Sequence, residues 1–186
     1  MDAFVNNMKN QVLHKIYMLT KARKYLTLGA AITVFKSMLL PFFEYGNIFL
    51  EICNNKLKDK IDRLFLRGIR IALNDYINIE EKILYNKMKI LPLNLRREMS
   101  ICKLMFSKIM KGKVNLEAQV VNTRIHDGKV AAWPDVSNDK YKKFIPHLGP
   151  TIWNKLPSDI RNIEDKLIFK SRIKSYYDNL YNPVGN

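Results

Sequence analysis

Between Lys56 and Leu73 the chain carries two interleaved stripes with the same period. Leu57, Ile61, Leu64, Gly68 and Ile71 follow one another at intervals of four, three, four and three residues. Lys56, Lys60, Arg63, Arg67 and Arg70 repeat the same intervals. Only an α-helix brings residues three and four apart onto one face. At about 100° per residue the basic line lies on a face adjoining the apolar one, and its five cations span ~21 Å at 1.5 Å per residue. A solvent-facing stripe normally mixes signs. Here Asp59 and Asp62 interrupt, and both stand off the basic line.

Helical periodicity extends over most of the remaining chain. Val5, Met8, Val12, Ile16, Leu19, Ala22 and Leu26 predict a helix over 2–25 with one apolar face. A second helix is expected from Leu28 towards Leu40. Pro41 lacks an N–H and disfavours helix at the residue before it, so a kink or break is expected there. Asn54 and Asn55 read as a turn opening the two-striped helix. A short helix is expected over 80–88. Pro92 opens a longer one over 93–110, with Leu95, Met99, Cys102, Met105 or Phe106, and Ile109 inward and Gly112 at its end. From Lys113 to Pro150 the periodicity fades and Gly128, Pro134, Pro146, Gly149 and Pro150 punctuate the chain. That stretch reads as a long connection, with short strands near 119–121 or 129–132. A last helix over 165–181 turns Phe169, Ile173, Tyr176 and Leu180 inward. The expected fold is all-α: a helical bundle over 1–112, then a loop-rich segment and a C-terminal helix over 113–186.

Charge narrows the partners. Thirty-two Lys and Arg against seventeen Asp and Glu leave a net charge of +15. A field of that sign attracts polyanions. Nucleic acid is the first candidate and an anionic membrane surface its rival. No spanning segment is expected, because the most apolar stretch, 29–50, is interrupted by Lys36, Pro41 and Glu44. The N-terminus reads as no signal peptide, which with two separated cysteines points to an intracellular chain in nucleus or cytoplasm.

Enzyme chemistry is not evident in the residues. His14, His126 and His147 have no neighbours at metal-ligand spacing, and Cys53 and Cys102 read as small buried thiols. No Gly-rich phosphate loop, G-x-S-x-G or H-E-x-x-H is present. Adjacent acids occur as Glu80–Glu81 and Glu164–Asp165, both at expected helix starts, where carboxylates complement the dipole. Aromatic residues lie among the basic ones at Tyr17, Tyr25, Tyr141 and Tyr176–Tyr177. Stacking on bases requires them to be exposed. Tyr141, in the connection, is the better candidate. Phe35, Phe106 and Phe169 read as packing residues.

Several blocks, taken in order, resemble one family. They begin with Lys15-Ile16-Tyr17-Met18-Leu19 through Lys21-Ala22-Arg23-Lys24-Tyr25-Leu26, followed by Ala30 to Pro41 and Phe43-Glu44-Tyr45-Gly46. Lys60-Ile61-Asp62-Arg63-Leu64 then leads to Arg67-Gly68-Ile69-Arg70-Ile71-Ala72-Leu73. Ile90-Leu91-Pro92-Leu93 comes next with Arg96-Arg97, and after it Asn122-Thr123-Arg124. Last are Gly149-Pro150-Thr151-Ile152-Trp153-Asn154-Lys155-Leu156-Pro157 and Ile160-Arg161-Asn162. This series resembles the thumb and post-thumb region of reverse transcriptases from non-LTR retrotransposons, particularly the jockey-like elements and their relatives. Where the family carries a Gln-rich run before its final Arg-Ile, this chain has Arg63-Leu64-Phe65-Leu66-Arg67.

The resemblance implies a thumb-like part of an RNA-directed DNA polymerase. The palm and its Y/F-x-D-D motif are absent from this sequence, so a fragment or degenerate copy is expected, with no polymerase activity of its own. No cofactor is expected for the chain, since Mg2+ would belong with the missing palm. The implied partner is RNA or an RNA–DNA hybrid. The expected contacts are Lys56, Lys60, Arg63, Arg67, Arg70, Arg96 and Arg97, with Lys103, Lys108, Lys111 and Lys113 extending them. Trp153, Leu156 and Pro157 are expected to anchor the tail onto the helices. The alternative is a domesticated helical module that docks a protein or a second copy of itself through exposed apolar faces, with no nucleic-acid role.

Overall fold

A computed structural model describes residues 2–45, 47–53, 55–75, 79–112, 114, 116–118, 129–131 and 145–182. Nearly all of it is helix, and the all-α class holds. The described exception is a short antiparallel strand pair, Leu116–Ala118 (β1) with Lys129–Ala131 (β2), in which Glu117 faces Val130. The expected strand at 129–132 thus falls on β2; the one at 119–121 lies outside the described residues.

The chain divides into two compact units, Met1–Leu93 and Asn94–Asn186. The first begins with α1 (Asp2–Ala22), whose Met8, Val12, Ile16 and Leu19 are all buried. A 3-10 turn at Arg23–Tyr25 ends it, and the Thr27 side chain caps α2 (Leu28–Val34) by accepting from the Ala30 amide at 3.3 Å. Helix continues through the proline. A π-helical segment, Phe35–Leu39, runs straight into α3 (Leu40–Glu44). The wider turn lets the Leu40 amide reach back to the Phe35 carbonyl. Pro41 is accommodated there by a local bulge, at the place where a kink or break was expected.

After α4 (Asn47–Ile52) comes α5 (Asn55–Leu73), the two-striped helix. Its buried residues are Ile61, Phe65, Gly68, Ile69, Ile71 and Ala72, while Leu57 and Leu64 are only half-buried. Phe65 is the hub of this core. Its ring meets Phe35 at 5.6 Å, Phe43 edge-on at 4.9 Å and Tyr85 of α6 (Glu81–Met88) at 6.2 Å. Gly68 lets α5 approach the π segment, since a Cβ there would sit 2.9 Å from the Phe35 ring. Arg23 ties the ends of α1 and α5 together. Its Nε donates to the Ala72 carbonyl and its Nη1 to that of Leu26, each at 2.9 Å, satisfying acceptors that a helix end leaves open.

The second unit is built on α7 (Leu93–Met110), α8 (Ile145–Asn154), the single turn α9 (Ser158–Arg161) and α10 (Lys166–Tyr181). The boundary at 93/94 assigns α7 to the later residues, where the expected boundary at 112 had kept it with the first bundle. The reason is packing. Phe106 of α7 stacks on Phe169 of α10 at 4.2 Å, and Phe169 stacks in turn on Trp153 of α8 at 5.6 Å.

Helix α8 lies inside the stretch expected to be a loop. Gly149 and Pro150 look like breakers, yet Gly149 is where α8 meets α7: a Cβ on it would sit 2.5 Å from Met105 Sδ. Asp165 caps α10 by accepting from the Leu167 and Ile168 amides at 2.8 Å. The inward residues of α10 are Phe169, Ile173 and Tyr177. Tyr176 is half-buried and Leu180 is exposed, so the inward line steps by four throughout.

Candidate nucleic-acid interface

Rotation of α5 about its axis determines where its cations go. With Phe65 and Ala72 at the centre of the buried face, Lys60 and Arg67, each five residues before one of them, stand about 140° away. The basic line therefore sits farther from the core than the adjoining position expected. Lys56, Lys60, Arg63 and Arg67 are exposed, and Arg70 is half-buried. Arg63 Nε donates to the Asp59 carbonyl at 3.2 Å and Arg70 Nη2 to the Ile79 carbonyl at 3.4 Å. Backbone bonds of this kind fix the guanidinium planes. Lys58, on another side of the helix, pairs with Glu51 at 2.8 Å.

Between α5 and α1 these side chains line an open groove of about 420 Å³, formed by Thr20, Arg63, Leu66, Arg67, Arg70 and Ile71. No carboxylate is among those lining residues. Thr20 donates its hydroxyl back to the Ile16 carbonyl at 2.8 Å, so the N–H donors along the groove come from the arginines. Three guanidinium groups thus line one groove. Their forked donors match phosphate oxygens.

Arg96 and Arg97 are placed differently. Both are on α7 in the second unit, and Arg97 is only 3 % exposed. It shares an i, i+4, i+8 line with Ile101 and Met105, both buried, so the helix turns it inward and it cannot meet a phosphate. That corrects the expected contact. Arg96 is half-buried. Burial pulls its pKa below the usual arginine value, and Asp178 offsets this in part.

A second basic cluster was not anticipated. Burial lowers the Lys103 pKa, and the nearby charges of Arg96, Lys170 and Lys174 lower it further. Lys170 and Lys174 are exposed, one turn apart on α10, with Lys166 one turn before them. This four-residue spacing was readable, but its proximity to Lys103 is a tertiary fact. Lys108 is half-buried and Lys111 exposed; Lys113 lies outside the described residues.

Tyr17 and Tyr25 are 59 % and 78 % exposed, and each ring has a lysine ammonium over it, Lys21 at 5.4 Å and Lys24 at 4.7 Å. Both therefore meet the exposure that stacking requires, whereas Tyr177 is buried. Tyr141, His126 and the Asn122–Arg124 block lie outside the described residues. Among the described residues no group of three His, Cys, Asp or Glu is placed to hold a metal ion, and no helix is long and apolar enough to cross a membrane. Both cysteines are buried thiols, and neither is in a disulfide. Cys102 touches the Tyr177 hydroxyl at 3.6 Å, and burial pushes its pKa up to about 12. Trp153 and Leu156 are buried, while Pro157 is exposed at the start of α9. The Trp153 indole N–H has no hydrogen-bond partner.

Compared with protein-family models, with curated proteins and with solved structures, the chain matches none.

Proposed function

We propose that this chain is a thumb-like nucleic-acid-binding part of a retrotransposon reverse transcriptase. The observation that carries the reading is the arginine-lined groove beside an exposed one-signed stripe on α5. The ordered sequence blocks that resemble the thumb region lend it direction. Its ligand would be RNA or an RNA–DNA hybrid, gripped by phosphate contacts that are independent of sequence and sensitive to salt.

The test is fluorescence anisotropy of a labelled RNA–DNA hybrid over a range of salt. Replacing Lys60, Arg63 and Arg67 together by Gln should weaken binding and flatten the slope of log K against log salt by roughly 2 to 3. Unchanged affinity and slope would end the idea.

A second reading, a helical protein-interaction module, is favoured by Leu167, Ile168 and Leu180. These are 75 %, 55 % and 55 % exposed on α10. Light scattering after size exclusion separates the two: an oligomer indifferent to nucleic acid supports the module, a monomer that binds hybrid supports the thumb.

A further inference from the structure

On the other flank of α1, its residues Asn7, Met8 and Gln11 meet Pro41, Phe42 and Tyr45 around an open pocket of about 410 Å³. Its polar and apolar parts are sorted. Asn7 and Gln11 are exposed and one turn apart, each offering an amide donor beside an amide acceptor. Facing them is an aromatic shelf, of which Tyr45 is 77 % exposed. Lys15 continues the Asn7–Gln11 line by another turn and holds its ammonium 4.4 Å over the Phe42 ring. No carboxylate lines the pocket.

An alkyl chain in this pocket would desolvate two amides and give them nothing in return. A flat heterocycle suits both walls, with a face for the aromatic ring and an edge of donors and acceptors for the amides.

We propose that this pocket takes an unpaired nucleobase, stacked on Tyr45, hydrogen-bonded by Asn7 and Gln11, with Lys15 on the adjoining phosphate. The inference rests on the nucleic-acid reading of the arginine groove and extends it to a single-stranded portion of the ligand. The two sites lie on opposite flanks of α1, since Gln11 and Thr20 are nine residues, about half a turn in direction and ~13 Å in rise, apart. The outer face between them carries exposed Asn10, His14, Tyr17 and Lys21, and the only carboxylate on α1 is Asp2. A strand leaving the groove would cross that face without meeting a negative charge.

The probe is a blunt RNA–DNA hybrid, compared with the same hybrid extended by a short single-stranded adenine overhang containing a fluorescent adenine analogue. Wild type should bind the overhang form tighter and quench the analogue by stacking. Tyr45→Ala, a change at an exposed side chain, should cost the overhang form about five-fold or more in affinity and abolish the quench. It should leave the blunt form and the salt slope untouched, because stacking releases no counterions. Tyr45→Phe should keep the quench, and Asn7→Ala with Gln11→Ala should weaken binding of the overhang form while leaving the blunt form unchanged. Circular dichroism confirms that each variant is folded. Equal affinity for blunt and overhang forms, or a quench that survives Tyr45→Ala, overturns the proposal. If wild type binds no blunt hybrid, the arginine-groove reading fails, and the analogue in a free single strand then decides the pocket by the same quench criterion.

Discussion

The first unit gathers its rings at mixed angles around one hub, Phe65, and the second buries an arginine and stacks Phe106, Phe169 and Trp153 in a row. In Met1–Leu93, Phe65 is met by Phe43 at 73°, by Phe35 at 54° and by Tyr85 at 29°, and Lys56, Lys60, Arg63 and Arg67 of α5 are exposed. In Asn94–Asn186, Phe106, Phe169 and Trp153 form a stack with interplanar angles of 14° and 29°, and Arg97 lies inside. A tilted cluster joins several helices through one ring, so its neighbours share the load. A three-ring stack is a column whose middle member, Phe169, depends on both ends. The first arrangement leaves Lys56, Lys60, Arg63 and Arg67 of α5 at the surface. The second commits its Trp to the stack that joins α7, α8 and α10.

The largest expected effect tests that column. Trp153→Ala removes one end and leaves a cavity against Phe169, at a cost of about 3–5 kcal/mol. The melting temperature should fall by about 6 °C or more, as measured by circular dichroism. Trp153→Phe should cost much less, because it keeps a ring on Phe169 and removes the unpartnered indole N–H. A Trp153→Ala protein that melts within about 2 °C of wild type would break the comparison, since a column that tolerates loss of its end is no column.

A smaller effect separates two glycines that do the same job. Gly68 and Gly149 each allow a close helix approach, one in each unit. At Gly68 an added Cβ would meet the Phe35 ring at 2.9 Å and Leu39 Cδ2 at 3.3 Å. Both side chains are fully buried, and Phe35 is braced by Phe65. Gly68→Ala should therefore cost about 1–2 kcal/mol, after allowing for the ~1 kcal/mol that alanine gains in a helix. At Gly149 the obstacle is Met105 Sδ, at 2.5 Å, on a side chain with three rotatable bonds. Gly149→Ala should fall within about 1 kcal/mol of wild type in a urea titration. A larger loss at Gly149 than at Gly68 would show that the second core is the stiffer one.

Periodicity made the helices of both units legible, because it depends on neighbours three and four residues away. The basic stripe of α5 and the helix starts at Glu80–Glu81 and Glu164–Asp165 were readable for that reason. Helix α8 was not, because Gly149-Pro150 is a breaker by local rules and is overridden by a contact with Met105 from a distant part of the chain. Arg97 is carried as a contact by the block that resembles the family, and its place on a line with buried Ile101 and Met105 shows only in the packed helix. Similarly, Tyr177 displaced Tyr176 from the core by continuing the four-residue step from Phe169 and Ile173. The groove and the pocket required tertiary facts: Thr20 beside α5, and Phe42 and Tyr45 beside Asn7 and Gln11. No pattern along the sequence brings those residues together.

The smallest effect concerns acids inside the second core. Burial raises Cys102 from 9.0 to about 12, and Tyr177, which touches it and donates to Glu98 at 3.5 Å, is raised as well, again chiefly by burial. In the folded unit these groups hold protons that the unfolded chain gives up. Stability from Cys102 is therefore fully present below about pH 9 and is lost as the pH climbs towards 12. By about pH 10 the loss should approach ~1 kcal/mol, since each pH unit between the two values is worth at most ~1.4 kcal/mol. Lysines also lose charge in this range, so the reference is Cys102→Ala, whose urea midpoint should fall less between about pH 8 and about pH 10. Hydrogen exchange should place the difference in amides of α7 and α10, the helices that carry Cys102 and Tyr177. If wild type and Cys102→Ala lose stability in parallel, the alkaline sensitivity belongs to the surface cations, and the contrast between the two cores rests on their ring geometry alone.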